Sequence, residues 1–125
     1  MSYHADYLEY IRLFNEGRYH ESHEVLQDLW RVNPSNRFYK ALIQLAGALD
    51  HWESESYYWA ESLFRSAADL LRPYAPRHGG LDVEKLIRVV ETCADVAAQQ
   101  RKDRGTPYRL PPLKLEIDSA GRASD

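Results

Sequence analysis

Two His-Glu pairs, His20-Glu21 and His23-Glu24, lie close together in a stretch with helical periodicity. Imidazole and carboxylate groups are the zinc ligands and general base of metalloproteases that carry His-Glu-x-x-His on one helix face. Here the residue four positions after His23 is Gln27, and an amide is not a usual zinc ligand. The sequence therefore excludes the zinc protease pattern.

A carboxylate-bridged di-iron site also lacks its pattern. Such sites need Glu-x-x-His on two helices and two further glutamates. Glu24 is followed three positions later by Gln27 instead of histidine, and the other predicted helices do not supply the motif. We therefore predict no metal ion and no cofactor. His20 and His23 lie one helical turn apart, which leaves adventitious metal binding open.

His23 differs from His20 in the helix face that it occupies. Tyr19, Leu26 and Trp30 share the face of His23, whereas His20 falls toward the preceding turn. Burying an imidazole without partners costs a few kcal/mol, so we expect both ring nitrogens of His23 to be hydrogen-bonded.

The next predicted helix supplies candidate partners for His23. A short turn joins the two helices, so they should run antiparallel. This pairing places His23 and Glu24 roughly opposite Gln44, which shares a helix face with His51. The sequence thus predicts a polar cluster of His23, Glu24, Gln44 and His51 inside the bundle. Three interpretations stay open: a structural network, a small-ligand or metal pocket, and a catalytic site.

Length, composition and charge narrow the class of protein. The 125 residues suit one domain, and a hydrophobic content of 44% allows a core. A net charge of −3 without a basic block disfavours nucleic acid as a partner. We expect no membrane span and no secretory signal, because apolar runs stay well short of about 20 residues. The single cysteine, Cys93, lies in an apolar helical pattern, which predicts a buried thiol and a cytoplasmic protein.

Apolar residues recur at three- and four-residue spacing in five segments, which predicts an all-α protein. We expect a compact bundle of about five helices, arranged as stacked helical hairpins, in a single domain over residues 1–105. Three prolines favour an extended tail over residues 106–125, fraying after Asp118. Gly17 should adopt a left-handed conformation at the first turn. Predicted helix caps are Ser35 or Asn36 for the third helix and Asp82 for the fifth.

A weak internal repeat relates the first helix pair to the second. Tyr19 and Tyr57 are equivalent at a shift of 38 positions, and the apolar pattern around them returns. The turn around Gly17, with a small residue at Ser22, is similar to that of tetratricopeptide repeats, whose period is about 34. The different period and the presence of two units favour helical-hairpin stacking over a true repeat array.

Three stretches, FNEGRYHESHEVLQDLWR, ALIQLAGALDHW and AESLFRSAADLL, together resemble the prokaryotic and plastid family called domain of unknown function 309. The resemblance covers about residues 8–71. The positions that match the family pattern are Phe14, Asn15, Gly17, Tyr19, Glu21, His23, Glu24, Leu26, Trp30, Leu42, Ile43, Gln44 and His51. Gln27 replaces a usual acid, and Glu55-Ser56 stand where the family tends to have Gly-Asn.

The resemblance implies a compact all-helical fold and no particular activity, since the family is defined without one. It also implies that the cluster His23, Glu24, Gln44 and His51 belongs to the family signature. Supporting positions of that signature are Asn15, Gly17, Tyr19, Glu21 and Trp30.

The sequence favours a non-enzymatic interaction or scaffold domain that binds a protein partner or forms a homo-oligomer. This prediction rests on the hairpin pattern, the 12% aromatic content and the lack of a catalytic motif. The alternative is a small-ligand or metal-binding protein, or an enzyme, that uses His23, Glu24, Gln44 and His51.

Overall fold

A computed structural model describes residues 3–118 of the chain. Within this range the helices are α1 Ala5–Asn15, α2 Tyr19–Arg31, α3 Arg37–Glu53, α4 Tyr57–Leu71 and α5 Val83–Lys102. A 3₁₀ turn at Arg72–Tyr74 and an antiparallel pair of two-residue strands, β1 Arg77–His78 and β2 Leu81–Asp82, join α4 to α5. The predicted all-α fold of about five helices is confirmed, whereas the small β-hairpin was not predicted.

Side-chain caps fix the starts of two helices as the sequence predicts. The Asn36 side chain accepts a hydrogen bond from the backbone N–H of Tyr39 at 3.0 Å. Asp82 does the same for the N–H of Lys85 at 3.0 Å. Each bond satisfies one of the N–H groups that the first helical turn leaves without an internal partner.

The core is centred on α3, which packs against both α2 and α4. Tyr10 of α1 is fully buried, and its hydroxyl donates to the carbonyl of Leu42 at 2.6 Å. A second hydroxyl, from Tyr7, donates to the carbonyl of Gly79 at 2.6 Å and so ties α1 to the β-hairpin. A Cβ at Gly79 would lie 2.8 Å from that hydroxyl and 2.9 Å from Phe38, so this position admits glycine alone without rearrangement.

Residues 106–118 are extended and pack along the bundle, as predicted for the tail. Leu110, Leu113 and Ile117 are partly buried against the core, and Leu115 is 2% exposed. The expectation of fraying after Asp118 concerns residues that lie outside the described range.

The α1–α2 and α3–α4 turns share one backbone conformation. Gly17 has φ 81° and Glu55, 38 positions later, has φ 60°. Both therefore occupy the left-handed region, which side chains other than glycine seldom adopt. The internal repeat thus extends from the apolar pattern to the geometry of the turns.

Equivalent hydrogen bonds and ring contacts accompany these two conformations. The N–H of Arg18 donates to the carbonyl of Leu13 at 3.0 Å, and the N–H of Ser56 donates to that of His51 at 2.8 Å. An edge-to-face aromatic pair spans each turn, with one ring before the turn and the other after it. The pairs are Phe14–Tyr19, with ring centroids 5.2 Å apart, and Trp52–Tyr57, with centroids 5.0 Å apart.

One substitution in each turn tests the energetic cost of the left-handed conformation. Glu55→Gly should raise the free energy of unfolding by about 0.5–1 kcal/mol, because glycine adopts φ 60° without a Cβ penalty. Gly17→Ala should lower it by about 1 kcal/mol, although a Cβ there meets no atom within 4 Å. Urea unfolding of both variants measures these changes. If the Glu55→Gly variant is less stable than the parent, relief of backbone strain at residue 55 does not determine the change in the free energy of unfolding.

Candidate functional site

The predicted cluster residues lie on α2 and α3 at the surface of the bundle, not sealed within it. His23, Gln44 and His51 are partly buried. The side chain of Glu24 is 64% exposed. The expected interior position is therefore wrong for Glu24, and whether the four residues form a binding site stays a prediction.

Glu24 contacts His20 instead of His23. Its Oε1 lies 3.7 Å from Nε2 of His20, and Nδ1 of His20 lies 3.6 Å from Oδ2 of Asp50. The rings of His20 and His23 are stacked with centroids 6.4 Å apart. Four side chains, His20, His23, Glu24 and Asp50, thus form a surface group. The predicted cluster includes neither His20 nor Asp50.

Gly47, which lies between Gln44 and Asp50 on α3, faces α4 instead of α2. A Cβ built there would lie 3.5 Å from Leu63 and would meet no atom of α2 within 4 Å. The predicted pairing of His23 with Gln44 stays a prediction.

Three residues of the signature keep a buried polar atom without a hydrogen-bond partner among the described residues. These atoms are Nδ1 of His23, Nε1 of Trp30 and Oε1 of Gln44. The expectation that both ring nitrogens of His23 are hydrogen-bonded is wrong for Nδ1. A buried unpaired group costs about 1–3 kcal/mol, so these atoms lower the stability of the isolated chain.

Burial controls the charge state of His23. It is the largest cause of a pKa below the usual value for histidine, and the neighbouring His20 lowers the pKa further. Glu24 and Asp50 act in the opposite direction but do not outweigh burial. His23 is therefore neutral at neutral pH, which suits a hydrogen-bonding group better than a cation that binds an acid.

Cys93 is a buried structural residue, as the sequence predicts. It is fully inaccessible, and burial raises the pKa of its thiol to about 12. The thiolate is the nucleophilic form of cysteine, so this side chain is inert at neutral pH.

Asn15, one of the supporting signature residues, holds the tail against the bundle. Its Nδ2 donates to the carbonyl of Leu115 at 2.8 Å, and its Oδ1 accepts from the N–H of Leu115 at 2.8 Å. The side-chain amide thus forms the same pair of hydrogen bonds with Leu115 that a residue on a neighbouring β-strand would form. The ammonium group of Lys114 donates to the backbone carbonyl of Asn15.

The other supporting residues shape the first turn and the start of α2. Gly17 provides the left-handed residue, and Tyr19 packs edge to face on Phe14. Glu21 forms an exposed ion pair with Arg18 at 2.6 Å, which contributes little to stability.

Two cavities, each of about 460 Å³, lie away from the predicted cluster. The first lies between the tail and the start of α5, and its lining includes Leu86 and Leu113. The second lies between the α3–α4 turn and the segment after α5, and its lining includes Trp52 and Tyr108.

Within residues 3–118 no three His, Cys, Asp or Glu side chains converge as a metal ion requires. None of the described helices is long and apolar enough to cross a membrane.

Residues 7–63 match a family model described as Domain of unknown function (DUF309). This segment, a little under half of the chain, is similar to the DUF309 family. The match confirms the resemblance read from the sequence, and it contains every residue of the predicted cluster. No curated protein and no solved structure matches the chain.

The DUF309 segment spans α1 to α3 and the first part of α4, whereas α5 and the tail lie outside it. The bond between Asn15 and Leu115 therefore joins a signature residue to a part of the chain that the family model does not cover. At least one position of the signature thus serves to fix a distant segment.

Replacing Asn15 tests its role in holding the tail. Asn15→Ala should lower the free energy of unfolding by about 1–3 kcal/mol, because both backbone groups of Leu115 lose their partner. Amide hydrogen exchange at Leu115 should accelerate in the same variant. Asn33→Ala, in an exposed loop, is the matched control and should change stability by less than about 0.5 kcal/mol. Unchanged exchange at Leu115 would contradict the proposed anchor.

The lowered pKa of His23 gives the folded state a defined pH dependence. Below about pH 6.5, the usual pKa, the unfolded chain binds the proton more readily than the folded chain. The contribution of His23 to stability is therefore complete above this pH and is lost as the pH falls through it toward the folded pKa. Urea unfolding between pH 7.5 and 5 should show a smaller loss of stability for His23→Gln than for the parent. Burial also lowers the pKa of His78, so part of the slope persists in the variant. Identical slopes would contradict the assignment.

Proposed function

We propose that this chain is a non-enzymatic interaction domain that self-associates through an aromatic surface at the start of α4. The observation that carries the proposal is the exposure of two large rings. Tyr58 is 61% exposed and Trp59 is 55% exposed, and their rings pack edge to face with centroids 5.2 Å apart. Tyrosine and tryptophan are the residues most often found as anchors of protein interfaces.

The surroundings of this Tyr58–Trp59 surface favour a second copy as the partner. Leu63 follows Trp59 by one helical turn and is partly exposed, and a Cβ built at Gly47 of α3 would lie 3.5 Å from it. An exposed indole thus lies one helical turn from a partly exposed apolar side chain. The same patch on two copies can pair about a two-fold axis, which is the commonest symmetry of homo-oligomers.

The chemistry of the candidate residues supports a non-enzymatic role. Cys93 is sealed from solvent with a raised pKa, and the Glu24 carboxylate contacts His20 instead of orienting His23. The alternative of a ligand, metal or catalytic site draws support from the unpaired atoms of His23 and Gln44. Neither of these atoms is hydrogen-bonded to the other, and the exposed rings of Tyr58 and Trp59 favour the interaction role.

Sedimentation equilibrium over a concentration series tests self-association. We expect a reversible dimer whose Kd rises by about tenfold or more in Trp59→Ser, because removal of an interface anchor costs about 2 kcal/mol. Val32→Ser is the matched control, since Val32 is 81% exposed on the α2–α3 loop and lies far along the chain from α4.

Two results would refute the proposal. One is a parent protein that stays monomeric up to about 1 mM, the weak end of specific association. The other is an equal rise in Kd for Trp59→Ser and Val32→Ser, which would mean that exposed apolar side chains associate without regard to position.

A further inference from the structure

The cavity between the α3–α4 turn and the segment after α5 is open to solvent and largely polar, and we call it the turn cavity. Its lining includes three aromatic residues, Trp52, Tyr57 and Tyr108, and two residues of opposite charge, Glu55 and Arg104. Its volume of about 460 Å³ falls within the range of roughly 300–1,000 Å³ that is common for small-molecule sites.

The aromatic walls come from both sides of the cavity. Trp52 and Tyr57 meet edge to face across the α3–α4 turn, with an interplanar angle of 64°. Tyr108 belongs to the segment after α5. Aromatic faces attract ammonium groups within about 6 Å of the ring centroid, so such walls favour a ligand that carries a positive charge.

Neither Arg104 nor Glu55 forms an ion pair with another of residues 3–118. The Arg104 guanidinium lies 4.9 Å from the centroid of the Tyr57 ring, and its Nη2 donates to the backbone carbonyl of Glu55 at 3.3 Å. Among residues 3–118 no carboxylate lies within 4.0 Å of Arg104, and no cation lies within that distance of the Glu55 carboxylate. One turn earlier on α5, Arg101 is paired with Glu61 at 3.0 Å. The turn cavity thus presents one available charge of each sign.

Glu55 occupies a backbone position that suits glycine. Its φ of 60° is left-handed, and the equivalent residue of the first turn is Gly17. A side chain there strains the backbone by about 1 kcal/mol, and strain of this kind concentrates at functional sites. Glu55 is also one of the residues that line the cavity.

Buried Gln100 holds the opposite wall in one conformation. Its Nε2 donates to the carbonyls of Asp103 and Thr106 at 3.1 and 2.9 Å, and its Oε1 accepts from the N–H of Tyr108 at 3.0 Å. Gln100 is 5% exposed. Because this wall is ordered before binding, the protein loses less conformational entropy when a ligand binds.

We propose that the turn cavity binds a small zwitterion that carries a carboxylate and an ammonium group, the class that includes betaines and free amino acids. The ligand carboxylate pairs with Arg104. The ammonium group faces Glu55 and the rings of Trp52 and Tyr108, because Arg104 already covers a face of the Tyr57 ring. This site shares no residue with the Tyr58–Trp59 surface, so the inference is independent of self-association.

Nitrogen-correlated NMR titrations with three probes separate the two charges of the ligand. Glycine betaine carries both, tetramethylammonium carries the cation alone, and acetate carries the anion alone. We expect betaine to shift the indole signal of Trp52 and the amide signals of Arg104, Gly105, Thr106 and Tyr108, with a saturable Kd in the millimolar range. Tetramethylammonium and acetate should each bind about tenfold more weakly or worse. Equal binding of tetramethylammonium or acetate, or shifts that do not saturate below about 100 mM betaine, would overturn the proposal.

Charge-neutral variants locate the site. Arg104→Gln and Glu55→Gln should each raise the Kd for betaine by about tenfold or more, because each removes one of the two charges. Arg88→Gln and Glu84→Gln are the matched controls, since both positions are exposed on α5 and outside the cavity lining. All four side chains are exposed, and spectra unchanged outside the cavity confirm that each variant folds. An unchanged Kd in Arg104→Gln or in Glu55→Gln would overturn the proposal, as would an equal rise in the controls.

Discussion

Two helical hairpins of this protein, α1–α2 and α3–α4, each fold back through a single residue with left-handed backbone. At Gly17 and at Glu55 this conformation lets the next backbone N–H reach a carbonyl in the last turn of the preceding helix. The reversal brings an aromatic ring from each side of the turn into edge-to-face contact. The stacking of hairpins, the position of the tail and the shape of the turn cavity all follow from these two reversals, because each sets where the following helix begins.

The sequence predicts those features that depend on neighbouring residues. Helical periodicity, the caps at Asn36 and Asp82 and the turn at Gly17 are local, and each is confirmed. The two-residue strands have no such signal, since alternation needs four or more residues to be recognised. The bond between Asn15 and Leu115 joins residues 100 positions apart, so no local pattern announces it.

Contacts between helices at the candidate site are likewise not predictable from local sequence patterns. The sequence places His23, Gln44 and His51 on faces that end partly buried, but it does not fix the axial offset between α2 and α3. The predicted cluster therefore leaves out Asp50, which contacts His20 across the two helices. Contacts such as that between His20 and Asp50 depend on side-chain packing along the entire interface, which periodicity does not encode.

The sealed position of Cys93 has a practical consequence for labelling the protein. Maleimides and iodoacetamides react with thiolates, and burial both blocks access to this sulfur and keeps it protonated at neutral pH. A cysteine introduced on the surface would therefore be the one site that a fluorophore or spin label modifies. The native chain thus accepts a single probe at a chosen position without prior removal of its own thiol.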